Sequence, residues 1–262
     1  MTTAMRIMRL QALILTGLLL LLQSFLFAQD DLRDLNNAAD TGADLLARPF
    51  HFDGTDAARL AGVAGITAIS SFLDDDLQTL TQNNKSEILD FVFAMDKYYL
   101  EAFTALSAGL YIYGLAAEQP RTRRLGLNLL ESTVFSTLIT NGVKVAFGRT
   151  RPTFTTDPQE INPVQFSWAQ TSFPSGHATF AFSFARVMAE EKSSTLWKAG
   201  WYTFAVLGSV ARVYNNHHWF SDVVLGSFIG YFVGDFVVKR NHPSKYEPVV
   251  PPPPVLHISY AF

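Results

Sequence analysis

Apolar residues recur at intervals of three and four through six stretches: Ala57 to Leu73, Ile88 to Ala117, Arg124 to Phe147, Ala178 to Glu190, Leu196 to Val213 and Ser221 to Val238. That spacing keeps one face of a helix apolar, so each stretch predicts an α-helix. No alternating, strand-like run competes with them before the C-terminus, and the expected fold class is all-α, a helical bundle. The helical region is expected to occupy residues 57–240. Ahead of it, Asp30 to Asp56 carries Pro49, Gly54 and many Asp and Asn residues, and residues 29–56 are expected to be an irregular segment. Behind it, residues 241–262 form a Pro-rich linker and tail, in which Leu256, Ile258, Tyr260 and Phe262 alternate as in a short strand. An edge strand or a docking tail accounts for that pattern.

The first stretch differs in kind. Arg6 and Arg9 precede an uncharged run from Leu10 to Ala28, so residues 1–28 read as a secretory signal peptide cleaved after Ala28, or as an N-terminal anchor if retained. This leader accounts for nearly all of the positive mean hydropathy of +0.14. A chain directed this way is expected in a bacterial cell envelope, as a periplasmic or a membrane protein. The helices themselves leave the membrane question open, because Asn128, Glu131, Asn141 and Lys144 interrupt one of the longest of them. Basic residues in "AEQPRTRR" and "VVKRNHPSK" fall at helix ends opposite those that carry Lys144, His177 and Arg212. In a membrane, that asymmetry places the latter ends toward the periplasm.

The net charge of −3 gives no general attraction to nucleic acid. The 262 residues include no cysteine, so neither disulfides nor thiolate metal sites are available. The acidic run "LDDDLQ" around Asp75 lacks further ligands at a suitable spacing and reads as a solvated helix end.

Candidate chemistry concentrates at the ends of predicted helices. "TSFPSGHATF", Thr171 to Phe180, opens a helix with Pro174, Ser175, Gly176 and His177. Proline sets the approach, serine caps the first turn, and the free amides and positive dipole end suit a bound phosphate. Upstream, "KVAFGRTRP" brings Lys144 and Arg151 two turns apart near one face at a helix end. Downstream, "ARVYNNHHWFSD" holds Arg212, His217, His218 and Asp222, and the spacing of four from His218 to Asp222 places them on one helical face.

Together, Lys144 and Arg151-Pro152, then Pro174-Ser175-Gly176-His177, then Arg212, His218 and Asp222 resemble the three-part signature of the type 2 phosphatidic acid phosphatase and vanadium haloperoxidase superfamily. One departure is Ala211, where the family commonly has serine. The resemblance implies a metal-independent phosphatase acting on phosphate monoesters or lipid (pyro)phosphates, in lipid metabolism, with membrane association and no cofactor. It implies that His218 is the nucleophile, oriented by Asp222 and converted to a phosphohistidine, and that His177 serves as acid and base. Lys144, Arg151 and Arg212, with the Ser175 hydroxyl and the Gly176 amide, are implied to bind the phosphate. His217 is implied to be a polar neighbour. The segment Thr153 to Phe173, with no clean period, is expected to form a loop at the mouth of the site. Trp219 is expected to wall the pocket or to pack. Two other functions fit the same residues: a haloperoxidase holding vanadate, and a non-catalytic envelope protein that binds anions.

Overall fold

The structure is a computed structural model and describes residues 29–241. Its described residues are all helix and loop. They form nine α-helices: α1 (Gln29–Ala47), α2 (Gly54–Ser71), α3 (Asp74–Asn83), α4 (Glu87–Phe93), α5 (Tyr99–Ala116), α6 (Pro120–Phe147), α7 (Gly176–Glu190), α8 (Thr195–Tyr214) and α9 (Phe220–Arg240). The expected leader and the strand-like tail lie outside the described residues.

Two expectations are corrected. Residues 29–56 are not irregular: α1 fills Gln29–Ala47, a 3-10 turn follows at Arg48–His51, and α2 begins at Gly54. Leu32, Leu35, Ala38, Ala39, Leu45 and Leu46 do carry a helical spacing, which the Asp and Asn residues between them obscured. The run from Ile88 to Ala117 is also not one helix. A 3-10 turn at Ala94–Lys97 separates α4 from α5 with no glycine or proline to mark the break.

The chain divides into two compact units, one ending at His51 and one beginning at Phe52. The first contains α1. The second is the bundle, in which α7 is central and packs against α6, α8 and α9, while α5 lies on α6 and α2 on α9. Phe180 and Phe184 of α7 and Leu129 of α6 are fully buried, with Tyr99 and Ala205 in the same cluster. Burial of each large side chain contributes about 1.5–3 kcal/mol.

Backbone contact between helices is unusually close along α9. A Cβ added at Gly226 would stand 2.4 Å from the Ser175 carbonyl oxygen, and one at Gly230 would stand 2.1 Å from that of Thr179. Buried Ser132, Ser136 and Thr140 on α6 and Thr179 and Ser183 on α7 fill much of the space that aliphatic side chains fill in a water-soluble core. Conversely, large apolar residues face outward: Ile66 and Ile69 on α2, Leu106 and Ile112 on α5, Val134 and Leu138 on α6, and Val206, Leu207 and Val210 on α8. Among the described residues α9 alone is long and apolar enough to cross a membrane by length and composition, and half of its apolar window is buried.

Candidate active site

Successive bundle helices run antiparallel, so the C-termini of α6 and α8 meet the N-termini of α7 and α9 at one end. Each delivers part of the expected constellation. Gly148 ends α6 with φ +61, its amide bonded to the Lys144 carbonyl, and an added Cβ would strike the Asn162 carbonyl oxygen at 1.6 Å. Only glycine accommodates both conditions. The chain then runs extended through Arg149, Thr150 and Arg151. The loop 153–173 folds back over it, with Thr150 N bonded to Glu160 O and Arg151 N to Ala169 O. The expected loop therefore lies against Arg151.

Ser175 caps α7, its hydroxyl oxygen accepting from Ala178 N at 3.4 Å. Its own amide donates to the Asp222 carbonyl at 2.8 Å, which ties the start of α7 to the start of α9. The Ser175 amide is thus committed, and its hydroxyl hydrogen remains to be donated. Gly176 sits beside the Lys144 stem: an added Cβ would meet Lys144 Cε at 3.8 Å.

Lys144 Nζ donates to the carbonyls of Thr171 at 2.6 Å and Ser172 at 3.2 Å. Arg151 donates from Nη2 to the same Thr171 carbonyl at 3.2 Å, from Nε to Trp168 O at 3.0 Å and from Nη1 to His217 O at 3.0 Å. Its guanidinium also lies 3.7 Å from the centre of the Trp168 ring. Two cations are thereby fixed around one strap, residues 171–172. Arg212, in the last turn of α8, is buried and pairs through Nη1 with Asp96 Oδ2.

His218 is 2% exposed and is held between two groups of opposite kind. Arg151 Nη1 lies 3.2 Å from Nε2, and Asp222 Oδ2 lies 3.4 Å from Nδ1. A guanidinium can only donate, so Nε2 carries the lone pair and Nδ1 carries the hydrogen, directed at Asp222. Burial, then Lys144, Arg151 and Arg212, push the His218 imidazole well below its ordinary pKa and keep it neutral. His177 acts on the same ring electrostatically and stands with its ring edge-on to Tyr99 at 5.6 Å. The half-exposed His217 contributes its carbonyl to Arg151.

Asp222 is held more firmly than spacing alone foretold. Its Oδ2 accepts from the Ser172 hydroxyl at 2.5 Å and from Trp219 N at 2.9 Å, and its Oδ1 accepts from Arg149 Nη1 at 2.8 Å. Arg149 in turn pairs with Asp74 at 2.6 Å, and Asp74 accepts from both the amide and the hydroxyl of Ser221 at 2.7 Å. The reading of the acidic run as solvated is therefore corrected: Asp74 is 1% exposed, although Asp75 and Asp76 do face solvent. Trp219 packs, 1% exposed, with Nε1 donating to Thr150 O at 2.9 Å. Arg149, Ser172, Asp74, Asp96 and Tyr99 are the residues that sequence reasoning missed. Of these only Arg149 and Ser172 adjoin a motif.

The structure thus brings Lys144, Arg151, Gly176, His177, His218 and Asp222 together, with Ser175 turned to capping and Arg212 turned to a carboxylate. The PAP2 superfamily family model matches residues 125–245. A lipid A 1-phosphatase of Porphyromonas gingivalis is 35% identical over 97 residues, which is 36% of this chain and 19% of that protein. An undecaprenyl-diphosphatase of Sulfolobus acidocaldarius is 30% identical over 122 residues, 45% of this chain and 56% of that one. The chain thus spans between about a fifth and just over half of the length of the curated relatives it matches. Among solved structures, Aquifex aeolicus LpxE superposes with a TM-score of 0.50 at 25% identity, over 64% of this chain and 95% of that one. A transmembrane PAP2 type phosphatidylglycerolphosphate phosphatase of Bacillus subtilis superposes with a TM-score of 0.53 at 19% identity, over 72% and 98%. The motif geometry and the helical fold agree with this match of residues 125–245 to the PAP2 superfamily.

Proposed function

We propose that the protein is an envelope phosphatase that hydrolyses a lipid phosphate or lipid pyrophosphate by way of a phosphohistidine on His218, without a metal. The observation that carries this reading is the arrangement around one buried imidazole: a lone pair on Nε2, a hydrogen on Nδ1 facing Asp222, and Lys144 and Arg151 fixed beside it. Nε2 attacks phosphorus and the bond to the leaving oxygen breaks; His177, held neutral in the free protein by burial and the neighbouring cations, takes up a proton when the anionic phosphate binds beside it and passes that proton to the leaving oxygen. A water, deprotonated by His177, then attacks phosphorus and breaks the P–N bond, returning neutral His218 and free phosphate. Lys144, Arg151, Arg212, the Ser175 hydroxyl and the Gly176 amide meet the charge on the equatorial oxygens.

Lipid is favoured over a soluble ester by the distribution of polarity. The interior is rich in Ser, Thr and Gly while the flanks of α2, α5, α6 and α8 are aliphatic, as in helices packed in a bilayer. Phe154, Val164, Phe166 and Trp168 project from the loop beside Arg151, where an acyl or isoprenoid chain would lie. Arg121, Arg123, Arg124, Lys239 and Arg240 occupy the end opposite the site, which fits a periplasmic site under positive-inside sorting. The names of the relatives, a lipid A phosphatase and an undecaprenyl-diphosphatase, point the same way. The test is hydrolysis in detergent of an aryl phosphate and of lipid phosphates in parallel. Activity that survives chelator, is blocked by vanadate and is higher on the lipid supports the reading; activity restored only by added metal overturns the mechanism.

A further inference from the structure

Asp96 lies outside the matched residues 125–245, in the 3-10 turn Ala94–Lys97 that interrupts the helical run between α4 and α5. Its side chain is 3% exposed and reaches Arg212 across 116 residues of sequence. The contact is one-pronged. Arg212 Nη1 donates to Asp96 Oδ2, while Arg212 Nε and Asp96 Oδ1 are both buried and have no partner. A guanidinium and a carboxylate left to themselves close two parallel hydrogen bonds. Here Asn215 Nδ2, 3.3 Å from the same Oδ2 and 3.2 Å from the Phe93 carbonyl, holds the carboxylate from the side. One turn further on, Tyr99 donates to the His177 carbonyl at 2.7 Å. A single segment ahead of the family domain thus touches both Arg212 and the residue expected to move the protons.

Resting on the phosphatase reading, we propose that Asp96 is a positioning residue for the reaction: it tethers Arg212 at Nη1 so that the unpartnered Nε–H is presented to a phosphoryl oxygen. A buried donor without an acceptor is costly, and a phosphoryl oxygen is the acceptor that relieves it. The Asp96 carboxylate also offsets part of the charge on Arg212. Arg212 then contributes a directed hydrogen bond, which favours the five-coordinate geometry, more than a general attraction for phosphate.

The test compares vanadate, which adopts that geometry, with inorganic phosphate, which does not. Binding of each is measured on the full chain in detergent, together with kcat and KM. Asp96→Ala is expected to lower kcat and to reduce the ratio of vanadate to phosphate affinity about tenfold, the loss of one charged hydrogen bond. Asp96→Asn, whose amide oxygen still accepts from Nη1, is expected to keep the ratio within about threefold of the parent. In an Arg212→Ala background, Asp96→Ala is expected to change the ratio no further. An unchanged ratio in Asp96→Ala, an Asn variant as impaired as the Ala variant, or a full further loss in the Arg212→Ala background overturns the tether. Should Asp96→Ala fail to fold, the Asn variant and the Arg212→Ala pair decide. A parent protein that binds neither anion removes the phosphatase reading and this inference with it; one that binds both with no effect at Asp96 removes this inference alone.

Discussion

Arg151 Nη1 stands 3.2 Å from His218 Nε2, and this contact fixes where the imidazole keeps its lone pair. A donor-only group at Nε2 leaves Nδ1 as the protonated nitrogen, facing Asp222. Nucleophile and phosphate-binding cation are thus adjacent before substrate arrives, and a phosphoryl group entering between them meets both.

Arg151 is expected to resist replacement by lysine. Its guanidinium spends separate N–H groups on the Trp168, His217 and Thr171 carbonyls while stacking on the Trp168 ring. An ammonium cannot reach three diverging acceptors and stack as well. Arg151→Lys should lower kcat/KM about a hundredfold or more; steady-state kinetics showing near-parental values would contradict the assigned role.

Much of this site was legible because phosphate chemistry constrains residue type at helix ends, although the shared helical faces read from spacing do not hold: Arg151 lies past the end of α6 at Gly148, and His218 lies ahead of α9. What stayed hidden were carboxylates whose partners are remote. Asp74 meets Arg149 across 75 residues and Asp96 meets Arg212 across 116, and no local pattern distinguishes either from a surface acid. The break at Ala94–Lys97 is hidden for the same reason, since it carries Asp96 to its partner without glycine or proline. In α1 the polar residues between its leucines concealed a helical spacing.

Asp74 is expected to matter for folding and for the orientation of Asp222. It is buried, pairs with Arg149 and accepts twice from Ser221, so Asp74→Ala removes one of the two carboxylates that hold Arg149 and leaves the buried Ser221 amide without its acceptor. Losing one partner of such a pair costs about 3–5 kcal/mol. Thermal unfolding in detergent should show a clear fall in Tm, and Asp75→Ala, at an exposed neighbour, should show none. Equal effects at the two positions would sink the distinction.

The pH behaviour of His218 follows from its surroundings. Burial and the three cations lower its pKa in the folded chain, whereas the unfolded chain titrates near the ordinary value of about 6.5. The folded state therefore binds fewer protons below that pH, so this group's stabilising contribution is full above it and lost as pH falls toward the folded value. Nitrogen-15 NMR at pH 6.5 should show His218 neutral, with hydrogen on Nδ1. Lys144→Met removes the repulsion of a neighbouring ammonium and should move the titration upward; a downward shift would mean that Lys144 does not face the ring.

The two histidines should separate cleanly, because one forms a bond and the other moves protons. His218→Ala removes the attacking nitrogen, so no covalent phosphoenzyme should form with any substrate. His177→Ala leaves Nε2 of His218 in place, and with a nitrophenyl ester, whose leaving group needs no proton, attack should proceed while release by water stalls. An acid-labile phosphohistidine is then expected to accumulate in His177→Ala and to be absent from His218→Ala. Rapid quenching and mass spectrometry locate the phosphoryl group. Its appearance on His217 would reverse the assignment, and the geometry argues against that outcome, since it is the His217 carbonyl that Arg151 engages while it is the His218 ring that lies between Arg151 and Asp222.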